Sequence, residues 1–544
     1  MSPAVDHVLE QARAWAGADP HAGDRAEILA LVDAGDTAEL ARRFAGPLTF
    51  GTAGLRGPLR AGPAGMNAAV VTRAAAGIAR YLTDSGHAGA GVVIGFDARR
   101  RSDEFAAVSA GVLAAAGFAV QVLPRALPTP VLSFAVRHLG CAAGIMVTAS
   151  HNPPDDNGYK VYLGDGAQLV PPADREIEAA IAAVGAAREV PQSDEGLTLD
   201  DDVEADYVAA VVAALDPFRV PGRAGLTVAY TAMHGVGAAT TRAVFAAAGL
   251  AAPVSVPEQD EPDPTFATVA FPNPEEPGAT DLLKALAGRI GADVAIAEDP
   301  DADRCAVVCG GRQLTGDEVG ALLADWLLRR GVRGTYASSL VSGSLMHVIA
   351  AAHGVRSAET PTGFKWIVRG DTAEEPLVFG YEEALGYAVT PAVARDKDGI
   401  SAALAVALLA AELKAGGRTL LDRLDELAME HGLFATGQLS MRVDDLSLIS
   451  GAMERLRADP PEQLLRRPVE FTDLAYADPP VDAVRLLGDG VRVIVRPSGT
   501  EPKLKAYLET VVPVHEDAGL IAARGRGEDE LDQLRAEMSA ALGL

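Results

Sequence analysis

The stretch TASHNPPDDNGYK, residues 148–160, decides how the rest of the sequence is interpreted. It follows the apolar run AGIMV at 143–147, which has the length and composition of a buried strand. The cluster of Asn, Pro, Asp and Gly after it predicts a tight loop. Ser150 is therefore expected at a strand end on an exposed turn, with His151 beside it and Lys160 further along. A serine placed there can be a nucleophile, carry a phosphate group, or only cap a turn.

Length and charge narrow the class of protein. A chain of 544 residues is too long for one core and suggests roughly three or four domains. The formal net charge is 47 − 74 = −27, and such an acidic chain argues against a nucleic-acid partner, because phosphate backbones are bound by stripes of Lys and Arg. A small anionic substrate remains compatible with this charge, provided that a few basic residues converge locally.

Cysteine usage and hydropathy indicate the compartment. The three cysteines, Cys141, Cys305 and Cys309, match no disulfide framework and no zinc pattern. The first residues lack the basic and apolar regions of a secretory signal, and the longest apolar segments, such as 401–413, are Ala-rich and interrupted. We expect a cytoplasmic protein without a membrane partner, present as a monomer or a weak dimer.

A pattern of strand, Ala-rich helix, glycine and strand occurs three times, at 91–123, 226–256 and 335–355. This is the signature of a βαβ unit, so we expect three similar α/β domains built around largely parallel sheets. Alternating apolar residues at 439–443 and 491–495, followed by a terminal helix at 528–542, predict a smaller α+β domain.

The predicted domain boundaries follow from these patterns. They are a helical extension at 1–45, then domains at 46–215, 216–330, 331–431 and 432–544.

The stretch AEDPDADR, which ends at Arg304, predicts a metal site. Asp299, Asp301 and Asp303 alternate, so their carboxylates can point to one place, as hard divalent cations require. An EF-hand is excluded, because Arg304 and Gly310 stand where it needs Gly and Glu. Three carboxylates beside an Arg suit Mg²⁺ shared with a phosphate group; the alternative is an acidic surface turn.

Basic and hydroxyl residues cluster in several other loops. The stretch RPSGTEPK at 496–503 predicts an anion site, because a guanidinium matches phosphate oxygens and the Ser-Gly-Thr loop adds hydroxyl and N–H donors; a plain hairpin turn is the alternative. The glycine-rich loop 50–57 holds Arg56. Loops 361–365 and 380–387 carry groups suited to sugar hydroxyls, and 395–399 is either a solvated turn or a second phosphate contact.

Two common catalytic patterns are missing from the sequence. No Gly-Lys-Ser/Thr follows a strand with the spacing of a Walker A loop, and no His-Glu-x-x-His zinc pattern occurs among the ten His. The phosphate-binding residues therefore belong to another kind of site.

Taken in order, the loops 148–160, 299–304, 380–387 and 496–503 resemble those of the α-D-phosphohexomutase superfamily of phosphoglucomutases, phosphomannomutases and related phosphopentomutases. The resemblance covers about residues 46–510, and the stretches 50–57 and 271–275 are most similar to the branch with phosphoglucomutase and phosphopentomutase activities. It implies a heart-shaped molecule of four domains, three α/β and one smaller α+β, around a central cleft.

The resemblance also implies roles for individual residues. Ser150 would carry the phosphate group and, with Asp299, Asp301 and Asp303, hold one Mg²⁺. Arg304 would steady the transferring group together with Arg56, and Lys160 or His151 would be the general acid or base. Substrate binding would fall to the remaining residues of these loops, namely Thr362, Gly363, Lys365, Glu382, Lys397, Arg496, Ser498, Gly499, Thr500 and Lys503.

The implied reaction interconverts a hexose 1-phosphate and a hexose 6-phosphate, of glucose and also mannose, through a phosphoserine and a sugar 1,6-bisphosphate that also serves as activator. Some members carry Ser two residues after the sugar-binding Glu; Ala384 stands there in this chain and leaves the hexose preference open. Phosphopentomutase is the near alternative. A metal-dependent phosphatase and an inactive sugar-phosphate sensor are the more distant ones.

Overall fold

The computed structural model describes residues 3–51, 54–215, 220, 222–443, 445–498, 503–514 and 519–543. The chain divides into two compact units, the first formed by Met1–Gln313 and Leu385–Glu412 and the second by Leu314–Ala384 and Leu413–Leu544. Each unit contains two α/β layers of its own, and the two are described separately below.

Three helices open the first unit, at Pro3–Ala18, Ala22–Ala34 and Thr37–Arg43. Leu9 and Ala12 lie on one face of the first helix and are buried together with Ile28 and Leu40 of the next two. The predicted helical segment therefore packs around a small apolar cluster of its own.

The first sheet of this unit has six strands around a large apolar core. In spatial order the strands are Leu55–Pro58, Asp156–Leu163, Ala143–Val147, Gly91–Phe96, Ala119–Val122 and Leu197–Thr198. The last four are parallel to one another, whereas Asp156–Leu163 and Leu55–Pro58 run antiparallel at one edge. The associated helices are Ala68–Asp84, Ser102–Ala115, Thr129–His138, Ala173–Ala182, Ala187–Glu189 and Asp202–Leu215.

The second sheet of the first unit has five strands, in the order Arg312–Gln313, Cys305–Cys309, Val294–Glu298, Val228–Thr231 and Val254–Ser255. The last three are parallel and the first two are antiparallel additions. The helices here are Arg223–Gly225, Gly237–Ala247, Pro257–Gln259 and Asp281–Ile290, and the unit also includes the short strand Gly386–Ala388 and most of the helix Gly399–Ala415.

The second unit begins with the parallel strands Ser357–Thr360, Thr335–Ser339 and Leu377–Glu382, in that spatial order. Its helices are Gly316–Arg329, Leu345–Ala352, Phe364–Ile367 and Leu420–His431. Capping boxes start two of these helices, because Thr315 pairs with Glu318 and Thr419 pairs with Asp422.

The carboxyl-terminal part of the second unit is an antiparallel sheet of six strands. Their order is Leu433–Arg442, Lys503–Val512, Val491–Pro497, Val484–Gly488, Arg467–Asp473 and Gln463–Leu464, and the helices are Leu446–Ala458, Leu474–Tyr476 and Gly519–Leu542. The terminal helix begins nine residues before the predicted start at 528. Glycines weaken the helical signal of its first turns, but Gly527 is buried, and packing against the sheet outweighs this cost.

All three predicted βαβ units are present. In each, a helix joins two parallel strands: Gly91–Phe96 to Ala119–Val122, Val228–Thr231 to Val254–Ser255, and Thr335–Ser339 to Ser357–Thr360. The prediction of three related α/β layers and one different terminal layer is confirmed, although antiparallel edge strands make the first two sheets mixed.

Among the described residues, no single helix is both long and apolar enough to cross a membrane. The pair Gly399–Ala415 and Leu420–His431 meets the criterion of length and composition only when the two are counted together. The first of these helices is buried within the protein along most of its length.

Candidate active site

Two loops of the first unit occupy equivalent places in its two sheets. Residues 148–155 connect the strand Ala143–Val147 to the antiparallel strand Asp156–Leu163, and residues 299–304 connect Val294–Glu298 to the antiparallel strand Cys305–Cys309. Each loop therefore follows the carboxyl end of a buried strand that also has a parallel neighbour. Ligands of α/β proteins bind at this end of the strands.

Ser150 lies where these two loops meet. Its hydroxyl Oγ donates a hydrogen bond to Asp299 Oδ2 at 2.8 Å, across 149 residues of sequence. His151 Nδ1 is 3.1 Å from the same Oγ. The nucleophile predicted from one loop therefore contacts the first acid predicted from the other.

The expectation that Ser150 sits on an exposed turn is wrong. Only 3% of Ser150 is exposed, and its backbone has φ of 52°, in the left-handed region that is unfavourable for a residue with a Cβ. The side-chain oxygen of Thr148 accepts a hydrogen bond from the Ser150 N–H at 2.8 Å. The loop turns inward, so the hydroxyl faces the carboxylates. Such backbone strain is concentrated at functional sites.

Asp299, Asp301 and Asp303 form one group, in which a carboxylate oxygen of each lies within 4.8 Å of the others. All three are completely buried, which excludes the alternative of an acidic surface turn. Burial and the neighbouring charges of Asp301 and Asp303 raise the pKa of Asp299 well above its usual 3.8. Three negative groups are thus held together at a clear electrostatic cost.

Lys160 offsets part of this charge. Its Nζ donates to Asp301 Oδ2 and to Asp303 Oδ2, both at 2.7 Å. Burial by itself would lower the pKa of Lys160, but these two carboxylates outweigh it and raise the pKa above 10.5. Lys397 adds a weaker ion pair, with its Nζ 3.4 Å from Asp303 Oδ2. The turn 395–399 is therefore no mere solvated turn.

The group still has unused metal-binding capacity. Asp301 Oδ1 and Asp303 Oδ1 are buried and have no hydrogen-bond partner among the described residues. Buried carboxylate oxygens are rarely left in this state, because the loss of solvation is costly. A hard divalent cation prefers oxygen ligands of this kind, so the three residues fit a metal ion such as Mg²⁺.

Arg304 and Arg56 lie at the same site. The Arg304 backbone N–H donates to Asp299 Oδ1 at 3.0 Å, and its side chain donates to Glu275 Oε2 at 2.8 Å. Arg56 donates to Asn152 Oδ1 at 3.2 Å. Burial first, and then the charges of these two arginines, lower the pKa of His151 well below 6.5. His151 is therefore neutral at neutral pH in this environment.

Arg99 is a residue that the sequence analysis missed. It is 4% exposed, and its two terminal nitrogens donate to the backbone carbonyls of Ser150, Asn152, Pro153 and Asp156 at 2.6–3.2 Å. Asp97 stands 3.5 Å from Arg99 Nε, and the guanidinium lies 4.8 Å from the ring of Phe266. One buried cation therefore holds the whole backbone of the serine loop. An Asp-x-Arg pattern directly after the strand Gly91–Phe96 was the available signal.

Thr129 and Gly235 were also missed. The Thr129 hydroxyl donates to Asp301 Oδ2 at 2.7 Å, which orients that carboxylate. Gly235 lies so close to Pro300 that a Cβ there would collide with the backbone of the metal loop. Neither residue has a distinctive pattern in the sequence around it.

Apart from Lys397, the predicted sugar and phosphate residues lie in the second unit. Glu382 ends the strand Leu377–Glu382, and Thr362, Gly363 and Lys365 follow the parallel strand Ser357–Thr360, so both loops leave the same edge of one sheet. Gly363 has φ of 104°, which favours glycine.

The strands on either side of the predicted anion loop pair antiparallel with each other. Arg496 is on the strand Val491–Pro497, opposite Lys505, and the Ser498 N–H donates to the carbonyl of Lys503 at 2.7 Å. Gly499 and Thr500 lie outside the described residues. The hairpin alternative and the anion-binding prediction are compatible for the described residues Arg496, Ser498 and Lys503, which lie at the ends of two paired strands.

Comparisons with known proteins agree with this geometry. Family models match the chain in four consecutive parts: phosphoglucomutase/phosphomannomutase alpha/beta/alpha domains I, II and III at residues 47–188, 205–312 and 315–430, and the C-terminal domain at residues 451–523.

Three similar proteins illustrate the match. A probable phosphomannomutase of Haemophilus influenzae is 43% identical over 87% of this chain and 96% of its own length. The phosphopentomutase of Mus musculus is 34% identical over 94% of this chain and 91% of its own length. A crystal structure from Thermus thermophilus, assigned as a phosphomannomutase, superposes with a TM-score of 0.69 at 28% identity, covering 90% of this chain and 99% of that one.

The fold and the site together define a phosphosugar mutase, an isomerase that works as an intramolecular phosphotransferase. The chain belongs to the phosphoglucomutase/phosphomannomutase family. The cluster of three carboxylates from Asp299, Asp301 and Asp303 is its candidate metal site.

Proposed function

We propose that the enzyme interconverts hexose 1-phosphates and hexose 6-phosphates, with glucose and mannose as its sugars and glucose preferred. The observation that carries this proposal is the 2.8 Å hydrogen bond from Ser150 Oγ to Asp299 inside a buried group of three carboxylates. A hydroxyl that receives a phosphate group at this point is next to a cation site. The phosphoglucomutase/phosphomannomutase family description supports hexoses as the sugar class.

Ser150, Asp299, Asp301 and Asp303 would hold one Mg²⁺ together with the phosphate on Ser150. Bound there, Mg²⁺ supplies charge neutralisation of the transferring phosphoryl group. Arg304 and Arg56 add two guanidinium groups for its oxygens. Because phosphoryl transfer depends mostly on positioning and charge stabilisation, these residues supply the main catalytic effects.

The reaction needs Ser150 to give its phosphate to one end of the sugar and to recover a phosphate from the other end. A sugar 1,6-bisphosphate is the species between the two transfers, and added bisphosphate activates the enzyme by phosphorylating Ser150. The proton of the sugar hydroxyl passes to His151, or to Lys160 after Lys160 has lost its own proton. His151 is already neutral and 3.1 Å from Ser150 Oγ, whereas Lys160 is a cation bound to two carboxylates.

A pH profile separates these two candidates. If His151 moves the proton, His151→Gln should remove the acidic limb of kcat, and Lys160→Arg should leave that limb in place. If Lys160 does so, the opposite result is expected, with Lys160→Arg changing the alkaline limb. Profiles of kcat report groups in the enzyme–substrate complex, which is the state in question.

Residues of the second unit would bind the sugar hydroxyls and the phosphate that is not transferred. The residues proposed for these contacts, together with Lys397 of the first unit, are Thr362, Gly363, Lys365, Glu382, Arg496, Ser498, Gly499, Thr500 and Lys503. We further propose that four domains follow the helical extension 1–45 and divide the work. The domain at 46–215 carries the phosphoserine, 216–330 binds the metal, 331–431 binds the sugar and 432–544 binds the phosphate that is not transferred.

Phosphopentomutase is a second candidate activity. The mouse phosphopentomutase is 34% identical over nearly the whole chain, and Ala384 stands where some members of the superfamily carry Ser. Rates measured side by side on glucose 1-phosphate, mannose 1-phosphate and ribose 1-phosphate decide between the two. A kcat/KM for ribose 1-phosphate above both hexose values would replace the first proposal by the second.

The central experiment uses purified protein with Mg²⁺ and a trace of glucose 1,6-bisphosphate, followed by phosphorus NMR. Conversion between the 1-phosphate and the 6-phosphate supports the proposal. No turnover of any hexose or pentose phosphate would refute it. Release of inorganic phosphate that outpaces isomerisation would indicate a phosphatase, and ligand binding without any chemistry would indicate a sensor.

We propose that the enzyme acts on free sugar phosphates in the cytoplasm, as a monomer or a weak dimer and without nucleic acid. Three buried cysteines in the thiol form and a net charge of −27 support this. Cell fractionation and light scattering of the purified protein test it. A stable higher oligomer, or retention on a nucleic-acid column at moderate salt, would contradict it.

A further inference from the structure

A segment without helix or strand connects the short helix Pro257–Gln259 to the helix Asp281–Ile290, and its residues 263–280 are called the 263–280 loop here. This loop contacts three residues of the candidate active site. Phe266 packs against the Arg99 guanidinium, Phe271 has its ring centre 6.5 Å from that of His151, and Glu275 pairs with Arg304. A loop of this length with no secondary structure is usually functional.

Glu275 is held in place by its own neighbours. Its backbone N–H donates to the side chain of Asn273 at 3.2 Å, and Asn273 is 6% exposed. The carbonyl of Pro274 accepts a hydrogen bond from Gln313 at 2.8 Å, and Gln313 in turn accepts one from Thr280 at 2.7 Å. The backbone on both sides of Glu275 is therefore fixed, and its carboxylate is presented to Arg304 by a built structure.

The ion pair between Glu275 and Arg304 competes with the chemistry proposed for this site. Arg304 Nη1 donates to Glu275 Oε2 at 2.8 Å, and the Arg304 and Glu275 side chains are 12% and 39% exposed, respectively. Arg304 is also the guanidinium assigned to the transferring phosphoryl group, which is an anion. The Arg304 guanidinium can therefore pair with two anions. Glu275 is always present, whereas the phosphoryl group is bound only during part of the catalytic cycle.

We propose that Glu275 is a positioning residue for Arg304 that exchanges with the phosphoryl group during each cycle. It holds the guanidinium in place when no phosphate group is present, and its negative charge favours release of the phosphate afterwards. This inference rests on the proposed function for the identity of the anion. In this proposal the negative charge of Glu275, and not only its shape, determines how strongly the site retains a phosphate group.

The test compares Glu275→Gln with the matched control Glu276→Gln. Glu276 is the next residue of the same loop, and its carboxylate makes no hydrogen bond or ion pair among the described residues. The first measurement is the Kd of inorganic phosphate by calorimetry, in the presence of Mg²⁺, because it requires no turnover. The second is the split of kcat and KM for glucose 1-phosphate.

In Glu275→Gln the Kd of phosphate should fall about threefold to tenfold, because phosphate no longer has to displace the partly exposed ion pair between Glu275 and Arg304. KM should fall by a similar factor and kcat should stay the same or fall, because product leaves more slowly. Glu275→Asp, which keeps the charge, should retain the phosphate Kd of the unmodified protein. In an Arg304→Gln background, Glu275→Gln should have no further effect.

An unchanged phosphate Kd in Glu275→Gln would overturn the inference. So would an equal change in Glu276→Gln, or an effect that persists without Arg304. If the protein lacks mutase turnover but the phosphate result holds, the proposed function fails and the pairing of Glu275 with Arg304 stands. If turnover is normal and the phosphate Kd does not respond, only the inference fails.

Discussion

Two sites with buried carboxylates lie in different parts of this molecule, one with a single acid and one with three. Their charges are neutralised to different degrees. In the second unit, Asp325 is 2% exposed, and its two oxygens accept hydrogen bonds from Arg423 and Arg329 at 2.9–3.0 Å. In the first unit, three carboxylates are buried together, and Lys160 pairs with only two of them, with Lys397 at a longer distance from one. Two of their oxygens have no hydrogen-bond partner among the described residues.

The difference shows what a structural site and a functional site require. Asp325 ties the helix Gly316–Arg329 to the helix Leu420–His431, and its charge and hydrogen bonds are satisfied inside the protein. The three-carboxylate group is left incomplete, which is costly in the free protein and useful only if a cation completes it. Incomplete neutralisation of a buried group is thus the stronger sign of function.

The largest effect is expected at Ser150. Ser150→Ala removes the oxygen that carries the phosphate, so turnover should fall by at least about a thousandfold. The fold should survive, because the loop backbone is held by Arg99. Phosphorus NMR measures the turnover, and intact mass spectrometry should show that the variant no longer takes up phosphate from glucose 1,6-bisphosphate. Unchanged turnover would remove Ser150 from the mechanism.

Asp299→Asn should separate activity from stability. Loss of a metal ligand should lower turnover by about a hundredfold or more. In the absence of Mg²⁺, and at a pH where Asp299 is ionised, the variant should nevertheless melt at a higher temperature than the unmodified protein, because one of three repelling charges is gone. Added Mg²⁺ should stabilise the unmodified protein much more than the variant.

The difference in metal-free stability between the unmodified protein and Asp299→Asn should depend on pH, with a definite sign. Burial and the neighbouring carboxylates raise the pKa of Asp299 above 3.8, so the folded protein binds a proton that the unfolded chain has released. Metal-free stability of the unmodified protein should therefore fall relative to Asp299→Asn as the pH rises above about 3.8. Differential scanning calorimetry in EDTA across this range measures it, and a gap independent of pH would contradict the assignment.

Asp325→Asn makes the same substitution as Asp299→Asn, but at the buried carboxylate whose charge is neutralised by arginines. It weakens the buried pair with Arg423, which keeps its ion pairs with Glu426 and Glu430, so the free energy of unfolding should fall by about 2 kcal/mol. The loss should be the same with Mg²⁺ and with EDTA, unlike that at Asp299. Urea denaturation under both conditions measures it, and a metal-dependent loss would break the comparison.

The Asp325 contribution also depends on pH, with the opposite sign. Burial would raise the pKa of Asp325, but the hydrogen bonds from Arg423 and the charge of Arg329 outweigh it and lower the pKa below 3.8. Its stabilisation is therefore complete above about 3.8 and is lost as the pH falls through the lowered value. The difference in stability between the unmodified protein and Asp325→Asn should shrink in acid.

The smallest effect is expected at Arg99, whose two terminal nitrogens each donate two hydrogen bonds. Arg99→Lys cannot reach four carbonyls at once, so the serine loop should be less well placed and kcat should fall about tenfold with little change in KM. Arg100→Lys is the control, because Arg100 is an exposed neighbour whose contacts are with Pro154 and Asp155. Equal losses in both variants would show that the serine loop does not depend on Arg99.

Much of the local structure could be predicted from patterns in the sequence. The strand Ala143–Val147 has the predicted limits, and the alternating acids of the metal loop are grouped as expected. These features succeed because periodicity, composition and spacing report on neighbours along the chain.

Other features failed for a physical reason. Residues 156–158, predicted as part of a turn, begin the strand Asp156–Leu163, because antiparallel pairing with the strand Leu55–Pro58 outweighs their low strand propensity. Arg99 and Thr129 act through contacts with loops 51 and 172 residues away in sequence, and the pairing of Glu275 with Arg304 spans 29. Patterns along the chain do not record such contacts.

The sequence by itself determined which residues carry the chemistry: a serine after a buried strand, three alternating acids, and loops rich in groups that donate hydrogen bonds to phosphate. Only the tertiary structure decided that Ser150 points inward to Asp299, that Lys160 is bound by two of the acids, and that Arg304 already has an anionic partner. The reason is that residue type depends on local chemistry, whereas orientation, burial and pKa depend on groups brought together from distant parts of the chain.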